Sequence, residues 1–277
     1  MQPLEQFDRI QRASINPYFN ALYLIKSRLM WDLNPYSWSS RNKMNKLKDS
    51  HIGKKAIIIC NGPSLRKVNF DSLIGSDVYF FGLNKINLMF DETAFRPNAV
   101  VASNYFVIEQ NKEFYNTTDI QLFLNSDKSA LIQNRKNVIF VNYSSIPRKF
   151  ARDCSMSLFQ GHTVTYTAMQ LAFHMGFSEV ALIGCDHHFE TKGVSNKTVI
   201  AGETDPNHFH PKYFADGVKW DLPDLLGSEY HYDLADKIYK QFGRKLINCT
   251  EGGKLEIFER MPLDAFIISN NQPKKFI

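Results

Sequence analysis

Short apolar runs that alternate with helical segments are the feature that most constrains the fold of this chain. Residues 56–60 read AIIIC, and similar runs follow at 77–84, 98–104, 120–126, 138–144, 179–186 and 245–250. Residues 163–177 carry apolar side chains at helical spacing, and residues 228–243 form another helical segment. Strands of a parallel sheet are covered on both faces, so they read as continuous apolar runs. The pattern therefore predicts an α/β fold with a mostly parallel sheet and helices on both faces.

Composition divides the chain into three regions. Residues 1–50 are aromatic and basic, residues 51–268 carry the alternating pattern, and residues 269–277 form a C-terminal tail. Within the first region a helical stripe is formed by Leu22, Leu24, Ile25, Leu29 and Met30. The basic segment SSRNKMNKLKDSHIGKK that follows is interpreted as a linker. The stripe leaves three partners open: an anionic membrane surface, its own domain, or a neighbouring subunit in a homo-oligomer.

A long insertion follows the predicted strand at 179–186. Residues 187–227 hold few apolar runs but many His, Asp, Pro and Gly residues. Long irregular insertions after a strand of an α/β fold are usually functional. We therefore predict that residues 187–227 form a histidine-rich lid.

The net charge and the cysteine content limit the binding partners and the cellular compartment that we expect for this protein. The net charge of +5 suits anionic small molecules, but it is too small and scattered to indicate a nucleic-acid partner. The four cysteines show no CxxC spacing, which favours buried free thiols and a reducing cytoplasm. No signal peptide and no run of about 18 apolar residues is present. We expect a cytoplasmic protein, with any membrane contact peripheral and at the inner face of the cytoplasmic membrane.

Polar residues follow the predicted strands where each one ends. In open parallel sheets, ligands bind beyond the carboxyl ends of the strands. Amides and hydroxyls there suit ribose hydroxyls, a base edge and phosphate oxygens, because each amide offers both donors and an acceptor. The strand ends carry Asn61-Gly62-Pro63-Ser64, Asn84, Ser103-Asn104, Asn142, Asp186-His187-His188, and Asn248-Cys249-Thr250 followed by Glu251-Gly252-Gly253.

The turn Asn61-Gly62-Pro63-Ser64 is the strongest of these signals. It matches neither the Walker loop nor GxGxxG. Gly62 would let the backbone approach a ligand closely, and Pro63 fixes its own φ. Ser64 is predicted to cap a helix, and the N–H groups beside it would face an anion. The turn is predicted to form one wall of a nucleotide site.

Histidines and aspartates cluster in the lid. Four of the eight histidines fall there: His187, His188, His208 and His210. Such a cluster suits a transition-metal site or a general acid and base with a pKa near neutrality. The spacing matches neither HExxH nor a zinc-finger pattern, so we expect no metal. There is no GxSxG motif, which leaves little support for a serine hydrolase.

Several stretches resemble a known family. IICNGPSL, FFGLN and TAMQLAFHMGFSEVALIGCDHHF look like the bacterial sialyltransferases that use CMP-sialic acid. They are even more similar to the 6-hydroxymethylpterin diphosphokinase-like group, which includes the central domain of motility-associated-factor flagellin glycosyltransferases. DPNHFHPKYF, GVKW and NCTEGGKLEIF are typical of that group among surface-polysaccharide proteins. The resemblance covers about residues 54–260.

This resemblance implies a Rossmann-like domain that binds one nucleotide and transfers a sugar from a CMP-linked donor without a metal. It places the donor against Asn61, Gly62, Ser64, Asn84, Asn104 and Thr163. Asp186 matches the acidic residue of a Gly-x-Asp strand end. His188 falls where the sialyltransferases carry a tyrosine that assists the leaving phosphate. Their catalytic histidine lies in a lid segment, and in this sequence His208, His210 and His231 are the candidates for it.

The expected reaction moves a sugar, such as a nonulosonic acid, to a surface glycan or glycoprotein. The turn amides and His188 would stabilise the departing phosphate, and His208 or His210 would take the acceptor proton. No cofactor is expected beyond the nucleotide-sugar donor.

Two other functions stay open on the sequence. A diphosphokinase would transfer diphosphate from ATP to a pterin alcohol, with Mg²⁺ held by Asp186, Asp205 and Asp216. A non-catalytic nucleotide-binding scaffold for envelope assembly would instead be anchored by residues 1–50.

Overall fold

The computed structural model describes residues 16–144, 146 and 148–268. The predicted tail at 269–277 and the first 15 residues of the N-terminal region lie outside them. The helices are α1 (Pro17–Asp32), α2 (Ser37–Leu47), α3 (Tyr105–Gln110), α4 (Lys112–Thr117), α5 (Val164–Met175), α6 (Leu225–Gln241) and α7 (Leu263–Ile268). The strands are β1 (Lys55–Ile59), β2 (Tyr79–Leu83), β3 (Ala99–Ala102), β4 (Gln121–Asn125), β5 (Val138–Val141), β6 (Glu179–Ile183), β7 (Thr198–Ile200), β8 (Lys219–Asp221), β9 (Lys245–Asn248) and β10 (Glu259–Arg260).

Eight of these strands form one sheet in the order β10-β9-β6-β1-β2-β3-β4-β5, and every neighbouring pair is parallel. In the register, Ile59 of β1 lies beside Gly82 of β2 and Ile183 of β6. The remaining pair, β7 and β8, is antiparallel and lies within residues 187–227. The predicted α/β fold with a mostly parallel sheet is confirmed.

The apolar strands build a core on both faces of the sheet. All five residues of β1 are buried, because side chains alternate between the two faces and both faces are covered. Ile57 and Ile59 face a cluster that includes aromatic residues of the lid. Ala56 and Ile58 face α5 and α6 instead. This double burial explains why the strands read as unbroken apolar runs.

The order of the strands reverses next to β1. From β1 the chain steps outward to β5 and then returns through α5 to β6, which pairs with the other side of β1. The segments that leave β1 and β6 therefore start side by side, and the chain continues from them to β2 on one side and to β9 on the other. This is the topological switch point, where open α/β sheets leave a crevice for ligands.

The segment interpreted as a linker is largely helical, so that interpretation was wrong. Helix α2 covers the edge strand β5: the backbone N–H of Phe140 donates to Ser40 Oγ at 3.1 Å. Met44 is buried, and its carbonyl oxygen lies 2.9 Å from His174 Nε2. The helix carries few apolar residues, so tertiary contacts rather than hydrophobic periodicity determine it.

Helix α1 packs on the domain mainly through its last turn. Trp31 is buried there. The predicted stripe is mostly exposed, with Leu22 at 61%, Ile25 at 56% and Met30 at 66% of full exposure. The stripe therefore does not pack on its own domain. In the described part of the chain, no helix combines the length and the apolar character that crossing a membrane requires.

Candidate functional site

The turn after β1 is held by the loop after β6. A 3₁₀ turn spans Pro63–Lys67. The N–H of Gly62 donates to the Gly184 carbonyl at 2.9 Å. The N–H and hydroxyl of Ser64 donate to Asp186 Oδ2 at 3.2 and 2.8 Å. These N–H groups were expected to face a bound anion, but the carboxylate of Asp186 already occupies that position.

Gly62 is required by the closeness of this contact. A Cβ atom at position 62 would lie 1.9 Å from Asp186 Oδ2 and 2.7 Å from the Gly184 oxygen. The sequence indicated close backbone approach at Gly62, and the approaching group is a carboxylate of the same chain. The turn and Asp186 therefore form one rigid unit at the switch point.

The lid lies directly over this turn. The N–H of Phe209 donates to the Asn61 carbonyl at 2.9 Å. Arg66 Nε donates to the Phe209 carbonyl at 2.7 Å. Asn61 itself is buried, and its side-chain oxygen has no hydrogen-bond partner among the described residues. A main-chain hydrogen bond and the Arg66 side chain thus fix the lid against the end of β1.

Asp205 organises the inside of the lid. Its carboxylate accepts hydrogen bonds from the N–H groups of Asn207 at 2.8 Å and Phe214 at 3.0 Å. His208 Nδ1 lies 2.7 Å from Asp205 Oδ2, and its ring stacks on Tyr213 with the centroids 4.0 Å apart. His208 is buried in this aromatic setting. The geometry gives His208 a supporting position within the lid.

Lys85 ties the lid to the end of β2. Its ammonium donates to the Tyr213 carbonyl at 2.7 Å and to Gln110 Oε1 at 2.8 Å. It also lies 4.9 Å from the ring centroid of Phe214. Burial lowers the pKa of Lys85 to about 8, although nearby Asp205 acts in the opposite direction. The buried Lys85 ammonium therefore links the lid, through Tyr213, to the segments that follow β2 and β3.

A cleft of about 380 Å³ opens between the turn, the lid and the loop that follows β9. It is lined by Pro63, Asp186, His188, Glu190, Pro206, Asn207, Gly253 and Lys254. The sequence pointed to Pro63, Asp186 and His188. Gly253 belongs to the strand-end segment after β9 that the sequence also pointed to, whereas Glu190, Pro206, Asn207 and Lys254 were not predicted. The Gly252-Gly253-Lys254 run at a strand end was the signal that could have identified Lys254.

The other predicted donor contacts lie away from the cleft lining and have local partners. Asn104 caps α3 by accepting from the N–H groups of Phe106 and Val107. Thr163 caps α5 by accepting from the N–H of Thr165 at 3.3 Å.

Asn84 and Ser103 are tied to their own surroundings. The Asn84 carbonyl accepts from the hydroxyl of Tyr115 at 2.9 Å, and the Ser103 carbonyl accepts from Asn125 at 3.1 Å. The side chain of Asn84 lies beside Tyr213, whose pKa is raised mainly by burial. The structure therefore does not bring Asn84, Ser103, Asn104 and Thr163 into one cleft with Asp186 and His188.

The other histidines named for the site, His187, His210 and His231, have local partners of their own. The N–H of Lys212 donates to His210 Nδ1 at 3.1 Å. His187 Nε2 lies 2.9 Å from Glu229. His231 contacts the ring of His162, and burial lowers the pKa of His231. None of His187, His210 and His231 lines the cleft.

The three aspartates proposed as magnesium ligands do not come together. In the described part of the chain, no group of three or more His, Cys, Asp or Glu residues is arranged to hold a metal ion. Asp186 is bound to Ser64, and Asp205 accepts hydrogen bonds inside the lid. That predicted ligand set was wrong, because the lid uses Asp205 for its own folding.

A parallel sheet with a cleft at its switch point defines a Rossmann-like α/β protein. Residues 33–192, more than half of the chain, match the 6-hydroxymethylpterin diphosphokinase MptE-like family. The chain belongs to this family, and the resemblance identified in the sequence is confirmed. No curated protein matches the sequence.

Two solved structures are similar. The MAf glycosyltransferase from Magnetospirillum magneticum AMB-1 is 15% identical, with a TM-score of 0.49 over 82% of this chain. This chain spans 38% of the length of that MAf chain. The sialyltransferase CstII from Campylobacter jejuni, in complex with a substrate analogue, cytidine-5′-monophosphate, is 14% identical. Its TM-score is 0.40, over 81% of this chain and 88% of the CstII chain.

Proposed function

We propose that this protein is a glycosyltransferase that moves a sugar from a CMP-activated donor to a surface glycan or glycoprotein. The observation that carries the proposal is the cleft at the switch point, which brings Asp186, His188 and Lys254 together. The choice of CMP and of a nonulosonic acid follows the resemblance of the NGPSL and GCDHHF segments to the sialyltransferases.

In the proposed reaction, the bond between the anomeric carbon and the phosphate oxygen breaks, and CMP leaves with the electron pair. The acceptor hydroxyl attacks the anomeric carbon and gives its proton to a histidine. His188 suits this role because it lines the cleft, whereas the ring of His208 is buried against Tyr213. His188 is therefore the general base of the proposal.

Asp186 has a different part. Its carboxylate is fixed by Ser64, and a carboxylate repels a phosphate. Asp186 is therefore suited to accept a hydrogen bond from a hydroxyl of the sugar or ribose. Asp186 also stabilises the turn after β1, because it accepts hydrogen bonds from the N–H and the hydroxyl of Ser64.

A diphosphokinase activity is the second candidate, because the family description names one. That chemistry needs Mg²⁺ between carboxylates and the phosphates of ATP. The predicted set of Asp186, Asp205 and Asp216 does not fit such an ion. The proposed sugar transfer needs no metal.

A thermal-shift panel with CMP, CDP, UDP, GDP and ATP, each with and without Mg²⁺, separates these functions. We expect stabilisation by CMP without metal, about 2.7 kcal/mol at a hundredfold excess over Kd. Stabilisation by ATP and Mg²⁺ alone would favour the diphosphokinase and contradict the proposal.

Turnover is tested with CMP-N-acetylneuraminic acid by following the release of CMP. We expect His188→Gln to lose about 10²- to 10⁴-fold in rate while CMP still binds, because a base is removed. His210→Gln is the matched control, since His210 does not line the cleft. Binding of CMP with no turnover of any CMP-sugar would favour the non-catalytic scaffold. Self-association, peripheral membrane contact through residues 1–50 and a cytoplasmic location stay predictions.

A further inference from the structure

A nucleotide phosphate in the cleft needs a positive partner that the turn after β1 does not supply. The N–H of Gly62 is bound to Gly184, and the N–H of Ser64 is bound to Asp186. Pro63 has no N–H to offer. The Asp186 carboxylate adds negative charge to the same wall of the cleft. The phosphate must therefore be neutralised from another side.

Lys254 lies on that other side. It lines the cleft and is exposed, and no ion pair or side-chain hydrogen bond engages its ammonium within the described residues. The neighbouring cations are committed elsewhere. Arg66 donates to lid carbonyls, and Lys67 pairs with Glu251 at 2.8 Å. Among the described residues that line the cleft, Lys254 is the cation whose charge is available to a ligand.

The backbone on which Lys254 sits is fixed. The N–H of Lys254 donates to the Asp186 carbonyl at 2.8 Å. Gly253 has a φ of +75°, and a Cβ atom there would lie 3.1 Å from Asp186 Cα. Gly253 therefore lets this loop approach the end of β6.

Two side chains hold the rest of the loop. Arg260 donates to the carbonyls of Thr250 at 2.8 Å and Leu255 at 3.1 Å. Asn248 donates to the same Leu255 carbonyl at 3.0 Å. The loop between β9 and β10 is thus braced from both strands, so the position of the Lys254 backbone relative to Asp186 is set by the fold.

We propose that Lys254 binds the phosphate of the nucleotide in the cleft and stabilises the negative charge that develops as CMP leaves. The inference rests on the proposed function, since it assumes a nucleotide in the cleft. An ammonium group acts on phosphate as a point charge, so arginine at the same position retains the interaction. A lost charge-assisted hydrogen bond corresponds to roughly 10- to 100-fold in affinity.

Isothermal titration of CMP and of cytidine to the full chain tests this assignment. Lys254→Met is expected to weaken CMP binding about 10- to 100-fold and to leave cytidine binding unchanged, because only CMP carries the phosphate. Lys254→Arg is expected to restore most of the CMP affinity. Lys67→Met is the matched control, since Lys67 pairs with Glu251 and does not line the cleft.

The outcomes separate this inference from the proposed function. If the wild-type chain binds CMP and Lys254→Met weakens CMP and cytidine equally, or neither, the role of Lys254 is overturned and the CMP donor stands. If ATP binds instead of CMP, the CMP donor is overturned. The same comparison, made with ATP and adenosine, then decides the role of Lys254. Failure of every nucleotide to bind overturns both.

Discussion

The absence of a side chain at Gly62 is required both for the packing of the turn after β1 and for the shape of the cleft. A methyl group there would meet Asp186 Oδ2 and the Gly184 oxygen, both well inside van der Waals contact. Gly62→Ala must therefore displace the turn or the carboxylate. We expect a loss of about 1–3 kcal/mol in unfolding free energy, typical of overpacking. Urea denaturation measures it, and titration with CMP reports the distortion of the cleft.

Gly202→Ala is the matched control for that substitution. Gly202 has no heavy atom within 4 Å of the position that a Cβ would occupy. Its φ lies outside the left-handed region, so alanine is accommodated without strain. Equal stability of the Gly62→Ala variant and this control would show that the turn is not packed against Asp186.

Lys85 gives the stability of the protein a specific pH dependence. Burial lowers its pKa from 10.5 to about 8 in the folded chain. Between about pH 8 and pH 10.5 the unfolded chain therefore binds more protons, and the contribution of Lys85 to the unfolding free energy rises with pH. The slope is at most about 1.4 kcal/mol per pH unit. Below about pH 8 the cost of burying the charge is present in full.

Urea unfolding of wild type and Lys85→Met at pH 7.5, 8.5 and 9.5 isolates this contribution. The unfolding free energy of the wild type should rise relative to that of Lys85→Met as the pH increases from 7.5 to 9.5. Other groups titrate in both proteins, so they cancel in the difference. If the difference in unfolding free energy is constant across this range, Lys85 keeps its ordinary pKa and its ammonium is not buried beneath the lid.

At the scale of elements, the lid depends on a carboxylate inside it. Asp205→Asn keeps one acceptor oxygen but places an NH₂ group against the donors that Oδ2 now serves, Phe214 N–H and His208. An unpaired buried N–H costs about 1–3 kcal/mol. We expect the lid to open locally and trypsin to cleave faster after Lys212, measured by mass spectrometry.

Asp216→Asn is the control for the lid, because it makes the same change at an exposed position. Asp216 has a φ of +54°, which asparagine also tolerates. Cleavage in the Asp216→Asn variant should match the wild type. Equal protease resistance of all three proteins would contradict the role given to Asp205.

The elements were predictable from the sequence wherever burial on both faces imposed a pattern. β1 is predicted at 56–60 and observed at Lys55–Ile59, and α5 is predicted at 163–177 and observed at Val164–Met175. Gly176 ends α5 in the left-handed conformation, which glycine adopts without strain. Helix α2 was missed, since Met44 is its one buried apolar residue and the other two buried positions, Ser37 and Ser40, are polar.

The candidate site was predictable only in its location. The rule that ligands bind at the carboxyl ends of strands led to the turn after β1 and to Asp186 and His188. Which polar groups remain available there depends on long-range contacts. Ser64 and Asp186 lie far apart in sequence and bind each other, and His208 is turned into the lid by Asp205. Lys254 follows a Gly-Gly pair, and only the folded loop brings it to Asp186.

At the scale of the whole molecule, the sheet has one switch point and the chain reaches it from several directions. β1, β6 and β9 supply adjacent strand ends, and the lid closes over β1 and β2. The carboxyl ends of the strands that line the cleft thus come from both halves of the sequence. Helix α2 lies elsewhere, because it covers β5, the outermost strand on one side of the sheet. Changes at α2 should alter stability without altering the cleft.

Two truncated proteins test whether α2 belongs to the folded domain. One begins at residue 34 and the other at residue 51, so both lack residues 1–33 and they differ only in the segment that contains α2. Without it, Phe140 loses the hydrogen bond to Ser40, the buried Met44 side chain is removed, and the edge of β5 is uncovered. Loss of the Met44 side chain alone costs about 2–5 kcal/mol. We therefore expect the shorter protein to unfold at a clearly lower urea concentration and to self-associate in size-exclusion chromatography. Nearly equal midpoints and equal elution volumes would place the start of the domain at residue 51, as the composition of the sequence suggested.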